Sequence, residues 1–409
     1  MVEKEYMHPP AMNMPIVLSL LLSSIATYPT YFIMALLLKD ISESFSTTVG
    51  ALGLIQSASS TVTLVFALVL SVLSLRLNAR TLFLLGLGSL AVSSLGCGFA
   101  QSATMMSIFY ALTGVGAAVI APMGLTLVSQ HVDEESRSKV IGWFMAGFTF
   151  SGLIGPPITG FIAELYGWRI AFLGYALPLA VLGLILSYLA IPVSRREGST
   201  DGGGKIWHGY MTILKSRSAC ACLMTTILVM IAWYAADLYT AAFYRDQFLL
   251  TLTATSLLLT TTSLFFTASS TFSGKIIEFF GRKPLAVVAI FAAGLMVASF
   301  TAVPFLYVSV IARILASVFV SLFYNAKVNV MLDQIPQLSG TIMSLDQASV
   351  GLGGAIGAAL GGVVFTLFGY RAIGPVHGLL MVLAALIFKV FVVDKGEDVA
   401  TPRVTAEIN

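Results

Sequence analysis

Four ionisable side chains stand within or at the edge of long apolar runs of this 409-residue sequence: Asp237, Arg313, Lys327 and Asp346, all in its C-terminal half. In a bilayer, one such group at mid-depth costs about 2.5–3.5 kcal/mol on insertion scales, so it needs a partner or a task. Counted from the ends of their runs, Asp237 and Arg313 fall at one depth, and Lys327 and Asp346 at another. Two opposite-charge pairs are therefore geometrically available. A carboxylate set against an arginine is suited to carrying a proton, and unpaired buried cations are suited to holding an organic anion. Structural ion pairing is the competing reading for both pairs.

Spacing adds aromatic surface around these charges. Met230, Trp233, Tyr234, Asp237, Thr240 and Tyr244 share one helical face, as do Ser24, Thr27, Tyr28 and Tyr31, where Pro29 loosens the local backbone. Arg313, Ser317, Tyr324 and Lys327 also share a side, since fourteen residues is close to four turns. Tyr28, Tyr31, Trp233, Tyr234 and Tyr324 are accordingly the candidate walls of a cavity for small, largely apolar compounds, with interhelix packing as the competing reading for each. Enzyme chemistry finds little support: there is no histidine pair at metal-ligand spacing, no phosphate-cradling loop and no nucleophile elbow. His8, His131 and His208 are expected in a tail or loops, and His377 reads as structural. Cys97, Cys220 and Cys222 are odd in number and read as packing residues. No metal, cofactor or nucleic-acid partner is expected.

The elements that must hold these residues are membrane helices. Only 10% of residues are charged and 57% are hydrophobic, which excludes a soluble globular domain of this length. Runs without a charge and long enough to cross about 30 Å of hydrocarbon recur at 14–38, 44–75, 81–130, 140–163, 170–194, 218–236, 247–274, 284–312, 347–370 and 372–388. The run 81–130 must fold back near residues 98–104, and 284–330 near Val303-Pro304, giving twelve spans. The first reads as a retained helix rather than a signal peptide. With the N-terminus cytoplasmic, sixteen of the 22 lysines and arginines fall on the inner side. Both termini are then cytoplasmic.

The stretch 194–216 is polar with a glycine-rich centre and reads as a flexible linker between a bundle at 14–193 and a second at 217–393, flanked by a segment at 1–13 and a disordered tail at 394–409. The bundles match each other in register. "GPPITGFIAELYGWR" (155–169) lands on "GAALGGVVFTLFGYR" (357–371) at an offset of 202, "SVLSLRLNAR" lands on "GKIIEFFGRK" at 203, and "YPTYFIMALLLKD" (28–40) lands on "YAADLYTAAFYRD" (234–246) at 206. The expected fold is an all-α membrane protein, with twelve transmembrane helices in two six-helix bundles related by a parallel internal repeat.

"GKIIEFFGRK", with Gly274, Glu278, Gly281, Arg282 and Lys283, resembles the signature that follows helices two and eight in the major facilitator superfamily of secondary transporters. The N-terminal copy departs from it, with Leu75 in place of the acid. "SGLIGPPITG" (151–160), with Gly155, Pro156 and Gly160, resembles the fifth-helix signature of the drug/proton antiporter branch, Thr159 standing where a glycine is usual. The resemblance covers the whole chain. It implies alternating access about a cavity lined by helices one, four, seven and ten.

Physically, Gly274 permits a close helix approach, Gly281 suits the positive φ that ends a helix, and Glu278 needs a positive partner. By the resemblance that partner is the start of helix five, near Ser136 to Lys139, forming a cytoplasmic latch. The glycine row 351–362 reads as close helix packing that lets helix eleven slide and binds nothing. Tyr110 stands where many proton-coupled members have an arginine, and the arginine appears at the repeat-equivalent Arg313. The leading expectation is a monomeric cell-membrane exporter of small, largely apolar compounds in exchange for protons, with Asp237 as proton carrier. The alternative is uptake or exchange of a small organic anion bound by Arg313 and Lys327.

Overall fold

The computed structural model of the chain describes residues 14–74, 76–192 and 203–394. The expectations for segment 1–13, for most of the tail, for the glycine-rich start of the linker and for Leu75 lie outside the described residues.

Among the described residues, twelve helices are long and apolar enough to cross a membrane. They are Met14–Ser44, Val49–Leu70, Ala79–Gly98, Ala103–His131, Glu134–Tyr166 and Trp168–Ala190 in one half, and Arg217–Gln247, Leu252–Phe280, Arg282–Ala302, Leu306–Leu332, Gly340–Phe368 and Tyr370–Phe391 in the other, numbered below as spans one to twelve. The protein is all-helical, a twelve-span membrane protein in two halves. Spans three and four are separated by residues 99–102, and spans nine and ten by 303–305, the turns expected from the polar and proline signals. Ser102 and Thr251 open their helices as caps, accepting from the backbone N–H of Met105 and Ala254 at 3.2 Å each, so first-turn donors do not go unpaired in an apolar setting. Gly167, Gly281 and Gly369 join spans five to six, eight to nine and eleven to twelve with φ of +83°, +79° and +73°, a region where a side chain would be strained. Two of the three are partners in the 202-residue repeat.

Span one is broken. One helical segment ends at Ile25 and the next begins at Pro29, which has no N–H to donate back toward Ile25 and fits the first helical turn. Span four is interrupted at Leu112. The linker expectation needs correction: residues Gly203–Lys215 form a helix, with the buried Ile213 packed into the core and Gly209 set against Leu338 and Thr341 at the start of span eleven. An apolar residue every few positions after the glycines outweighs their flexibility. His131 likewise is the last residue of a helix and not a loop residue.

The halves meet along two glycine-rich seams. A Cβ on Gly362 of span eleven would lie 2.4 Å from the carbonyl oxygen of Gly50 in span two, and one on Gly160 of span five 2.9 Å from Ser256 of span eight. The glycine row of span eleven is shared between two neighbours, since a Cβ on Gly357 would likewise lie 2.4 Å from the backbone oxygen of Ile231 in span seven. The larger apolar core runs from the C-terminal half into residues 33–41 of span one and Val49 to Ile55 of span two. Those residues lie toward the face opposite the start of span one, here termed the distal face; the face where span one begins and span twelve ends is the proximal face.

Candidate substrate cavity

A cavity of about 380 Å³ lies between the halves at mid-depth. Helical periodicity places its walls: Tyr28, Tyr31 and Phe32 from span one, Phe148 from span five, Met230, Trp233, Tyr234 and Asp237 from span seven, Phe266 from span eight, and Arg313 and Tyr324 from span ten. The five aromatic residues expected there all line it. Sequence reasoning missed Phe32, Phe148 and Phe266, and also Thr262, Ser263 and Thr267 of span eight. The cavity is lined by spans one, five, seven, eight and ten, which corrects the expectation of one, four, seven and ten. Span four contributes Tyr110, Thr113 and Ala117 to a smaller adjoining pocket, because Tyr28, Tyr31 and Tyr234 stand between it and the main space.

Asp237 sits in the cavity wall with its side chain 22% exposed. One carboxylate oxygen takes an ion pair from Arg313, and the other accepts a hydrogen bond of 2.6 Å from the Tyr31 hydroxyl of the opposite half. Arg313 is buried, donates from Nε to Thr240 Oγ1 at 3.2 Å, and lies 4.5 Å above the Trp233 ring. Its third nitrogen has no hydrogen-bond partner among the described residues. The arrangement gives the cavity one carboxylate, one guanidinium and a large aromatic surface, suited to binding apolar compounds while exchanging a proton.

Lys327 and Asp346 also pair, but elsewhere. Lys327 Nζ lies 2.8 and 2.9 Å from the two carboxylate oxygens, and Thr226 bridges both partners at 3.1 and 2.8 Å. Both charged side chains are fully buried and neither lines the cavity. Lys327 shares a helix side with Arg313, as its spacing requires, yet its charge points to span eleven. In this conformation it is not available to a bound anion.

Polar contacts between the halves, among the described residues, run from mid-depth to the distal face. At mid-depth are Tyr31–Asp237 and the 2.7 Å bond from Ser57 Oγ to the carbonyl of Ala355. At the distal ends of spans one and seven, Lys39 pairs with Asp246 and Arg245 with Asp40. These four are repeat partners at offset 206, so each half offers a cation-acid doublet that grips the other's. The doublets were visible in the sequence alignment of the repeat, but their crossing was not. Thr253 also donates to Glu164 between spans eight and five.

The proximal side differs. Glu278 is exposed and, among the described residues, makes no ion pair, and a Cβ on Gly274 would meet nothing within 4 Å, so the close approach expected there is absent in this conformation. Helix five starts at Glu134, two residues before the expected beginning, with Asp133 at its cap and Glu134 and Glu135 in its first turn. Three acids already oppose the helix dipole, so that terminus is a poorer partner for Glu278 than expected. Arg282 is engaged within its own half, by Asp333 and by Asp394, the latter at 2.8 Å, and Lys283 is half-buried beside it. In the fifth-helix motif Gly155 faces Phe32 of span one, Pro156 is buried, and Gly160 makes the contact with span eight already described. His377 is buried and close to the Ile373 carbonyl at 2.7 Å.

The family model described as "Major Facilitator Superfamily" matches residues 19–251 and again 222–408, one match for each half. The chain belongs to the Major Facilitator Superfamily. It is a multi-pass membrane transporter of small-molecule substrates and not an enzyme, as are its superfamily and structural neighbours. It is 22% identical over 355 residues to the uncharacterised MFS-type transporter YceJ of Bacillus subtilis, covering 87% of this chain and 90% of that protein. Multidrug resistance protein 3 of the same organism is 30% identical over 129 residues, 31% of this chain but only 25% of that protein's length. Among solved structures, a bacterial homolog of the human lysosomal transporter Spinster, inward-facing and unoccupied, superposes with a TM-score of 0.77 at 15% identity, covering 93% of this chain and 97% of that one. That superposition carries the superfamily fold.

Proposed function

We propose that this protein exports small, largely apolar compounds in exchange for protons, as a monomer in the cell membrane with both termini cytoplasmic. The observation that carries the reading is Asp237: an acid in the wall of an aromatic cavity, bound at once to Arg313 and to Tyr31 of the opposite half. Protonation of Asp237 removes its charge and with it most of the attraction to Arg313, and weakens the charge-assisted bond from Tyr31. The protonation state is thereby coupled to a contact that holds the halves together, which an alternating-access exchanger requires. The inside-positive distribution of charge supports assigning the proximal face to the cytoplasm. With the polar contacts between the halves, among the described residues, running from mid-depth to the distal side, the conformation is then read as inward-facing. In the outward-facing state Glu278 closes the cytoplasmic side against the start of span five. The short match to a multidrug resistance protein supports efflux.

The alternative, an organic anion held by Arg313 and Lys327, draws on the unpartnered Arg313 nitrogen but has lost Lys327 to Asp346. Liposomes holding the purified protein and a trapped pH dye separate the two. A lipophilic cation should evoke proton movement in the parent and none in Asp237→Asn. Carboxylate transport at constant internal pH, unchanged in that variant, would overturn the proposal.

A further inference from the structure

Behind the tyrosine partition lies a pocket of about 90 Å³. It has no acidic or basic residue in its lining, which includes Thr30, Gln56, Ser59, Ser60, Tyr110 and Thr113. Resting on the reading of the main cavity as a substrate site, we propose that this pocket takes the uncharged, hydroxyl- or carbonyl-bearing end of a ligand whose apolar body lies in the main cavity.

Three observations converge. The first is unmet hydrogen bonding. Tyr110 donates to the Gln56 carbonyl oxygen at 2.7 Å and Ser59 pairs with Thr113 at 2.5 Å, whereas the side chains of Thr30 and Ser60 and the amide nitrogen of Gln56 line the pocket and, among the described residues, take no part in the hydrogen bonds that bind its walls together. All three residues are buried, at 2, 5 and 4% exposure. Buried polar groups call for a partner that both donates and accepts. The second is charge and size taken together. An ionised group here would be stripped of water with no charged residue in the lining to pair with, whereas a neutral one exchanges hydrogen bonds. In size, the space is that of about three waters at roughly 30 Å³ each, enough for a hydroxymethyl or carboxamide and too small for a second ring.

The third is the internal repeat. Tyr31 is the repeat partner of Asp237, at an offset of 206, and Tyr110 that of Arg313, at 203. The pocket is thus the N-terminal counterpart of the Asp237–Arg313 site, with both charges replaced by phenols. Tyr28, Tyr31 and Tyr234 border both spaces, so one molecule can reach from one to the other past their rings. The two copies recognise different parts of one ligand: a charged half governs the proton, and a neutral half reads the polar end of the cargo.

Four probes with one aromatic body test this by calorimetry on the purified full chain: 1-naphthalenemethanol, 1-ethylnaphthalene, 1-naphthoate and 1-naphthylmethylammonium. The alcohol should bind about ten-fold more tightly than the ethyl compound, since a site built to hydrogen-bond a hydroxyl discriminates against its loss. Thr30→Val, and separately Gln56→Leu with Ser60→Ala, should bring that ratio to about one while leaving the ethyl compound and both ions unchanged. Thr30→Val is nearly isosteric and keeps the test available if the double variant does not fold. Equal binding of alcohol and ethyl compound, or a ratio that survives the variants, would mean the pocket holds water alone and overturns the proposal while leaving the cavity reading intact. A carboxylate or ammonium probe weakened by the same variants would overturn the neutral-head assignment. If no probe binds, or if Trp233→Ala leaves every affinity unaltered, the cavity reading fails and this proposal with it.

Discussion

Asp237–Arg313 and Lys327–Asp346 are the same chemistry placed twice in the C-terminal half, yet their surroundings set them apart. The first pair borders the cavity, keeps Asp237 partly exposed, and spends one carboxylate oxygen on a residue of the other half. The second is fully enclosed, and each partner is satisfied by the other and by Thr226, all within one half. Access and connectivity, not charge, distinguish a group able to exchange protons from one that fixes helix packing. A buried pair of the second kind adds little net stability but is costly to break, because removing one member leaves an uncompensated charge.

The largest expected effect follows from that asymmetry. Lys327→Met or Asp346→Asn should each lower stability by about 3–5 kcal/mol, whereas Lys327→Met combined with Asp346→Leu should recover most of the loss. Thermal unfolding of the purified protein reads this directly; single variants as stable as the parent would dissolve the distinction. Asp237→Asn is set apart by function: it should abolish substrate-evoked proton movement in the liposome assay, while the Arg313 it leaves without its counter-charge, 1% exposed, also lowers the unfolding temperature. A variant that still moves protons would reduce the first pair to a structural role like the second.

The two faces of the molecule extend the comparison. The distal side is held by Lys39–Asp246 and Arg245–Asp40, partly buried and crossed between the halves. Each such pair contributes on the order of 1 kcal/mol, so Asp246→Lys should shift the population about five-fold toward distal opening, and adding Lys39→Asp should reverse the shift. Cysteine labelling from the distal side measures it, and a double variant no better than the single would show that the doublets do not act as a clasp. Glu278→Gln should give the smallest change. On the proposed latch it weakens a contact with an already acidic helix start when the proximal side shuts, so proximal accessibility should rise about two-fold on the scale of a helix-dipole interaction. No change at all would remove Glu278 from gating.

Much of this was legible in the residues. Trp233 and Tyr234 are four and three residues from Asp237, so a helix turns all three to one side whatever surrounds it. The pairing of Arg313 with Asp237 followed from depth, since helical rise converts residue count into height. Phe148 and Phe266 were not legible, because spans five and eight are apolar on several sides and nothing local says which side faces the cavity. The exposure of Glu278 was hidden for a related reason: its motif is local, but whether the residue is covered depends on how the two halves sit against each other. Likewise, helix Gly203–Lys215 was masked by the three consecutive glycines 202–204 at its start, although the run that follows them is amphipathic and packs against the start of span eleven.

What the sequence determined by itself is whatever depends on the chain's own short range and on the bilayer: twelve apolar runs, the turns between them, the duplication, and the face each helix offers. Those follow from backbone hydrogen bonds that must close within each helix and from the cost of charge in hydrocarbon. Only the tertiary structure decided how the duplicated halves engage. The crossing of Lys39 and Asp40 with Arg245 and Asp246, the bond from Tyr31 to its own repeat partner, and the division of one cavity into charged and neutral compartments all depend on the rotation of one half against the other. That rotation is set by packing along spans two and eleven and along five and eight, a sum of many weak contacts between distant segments that no local pattern in the chain records.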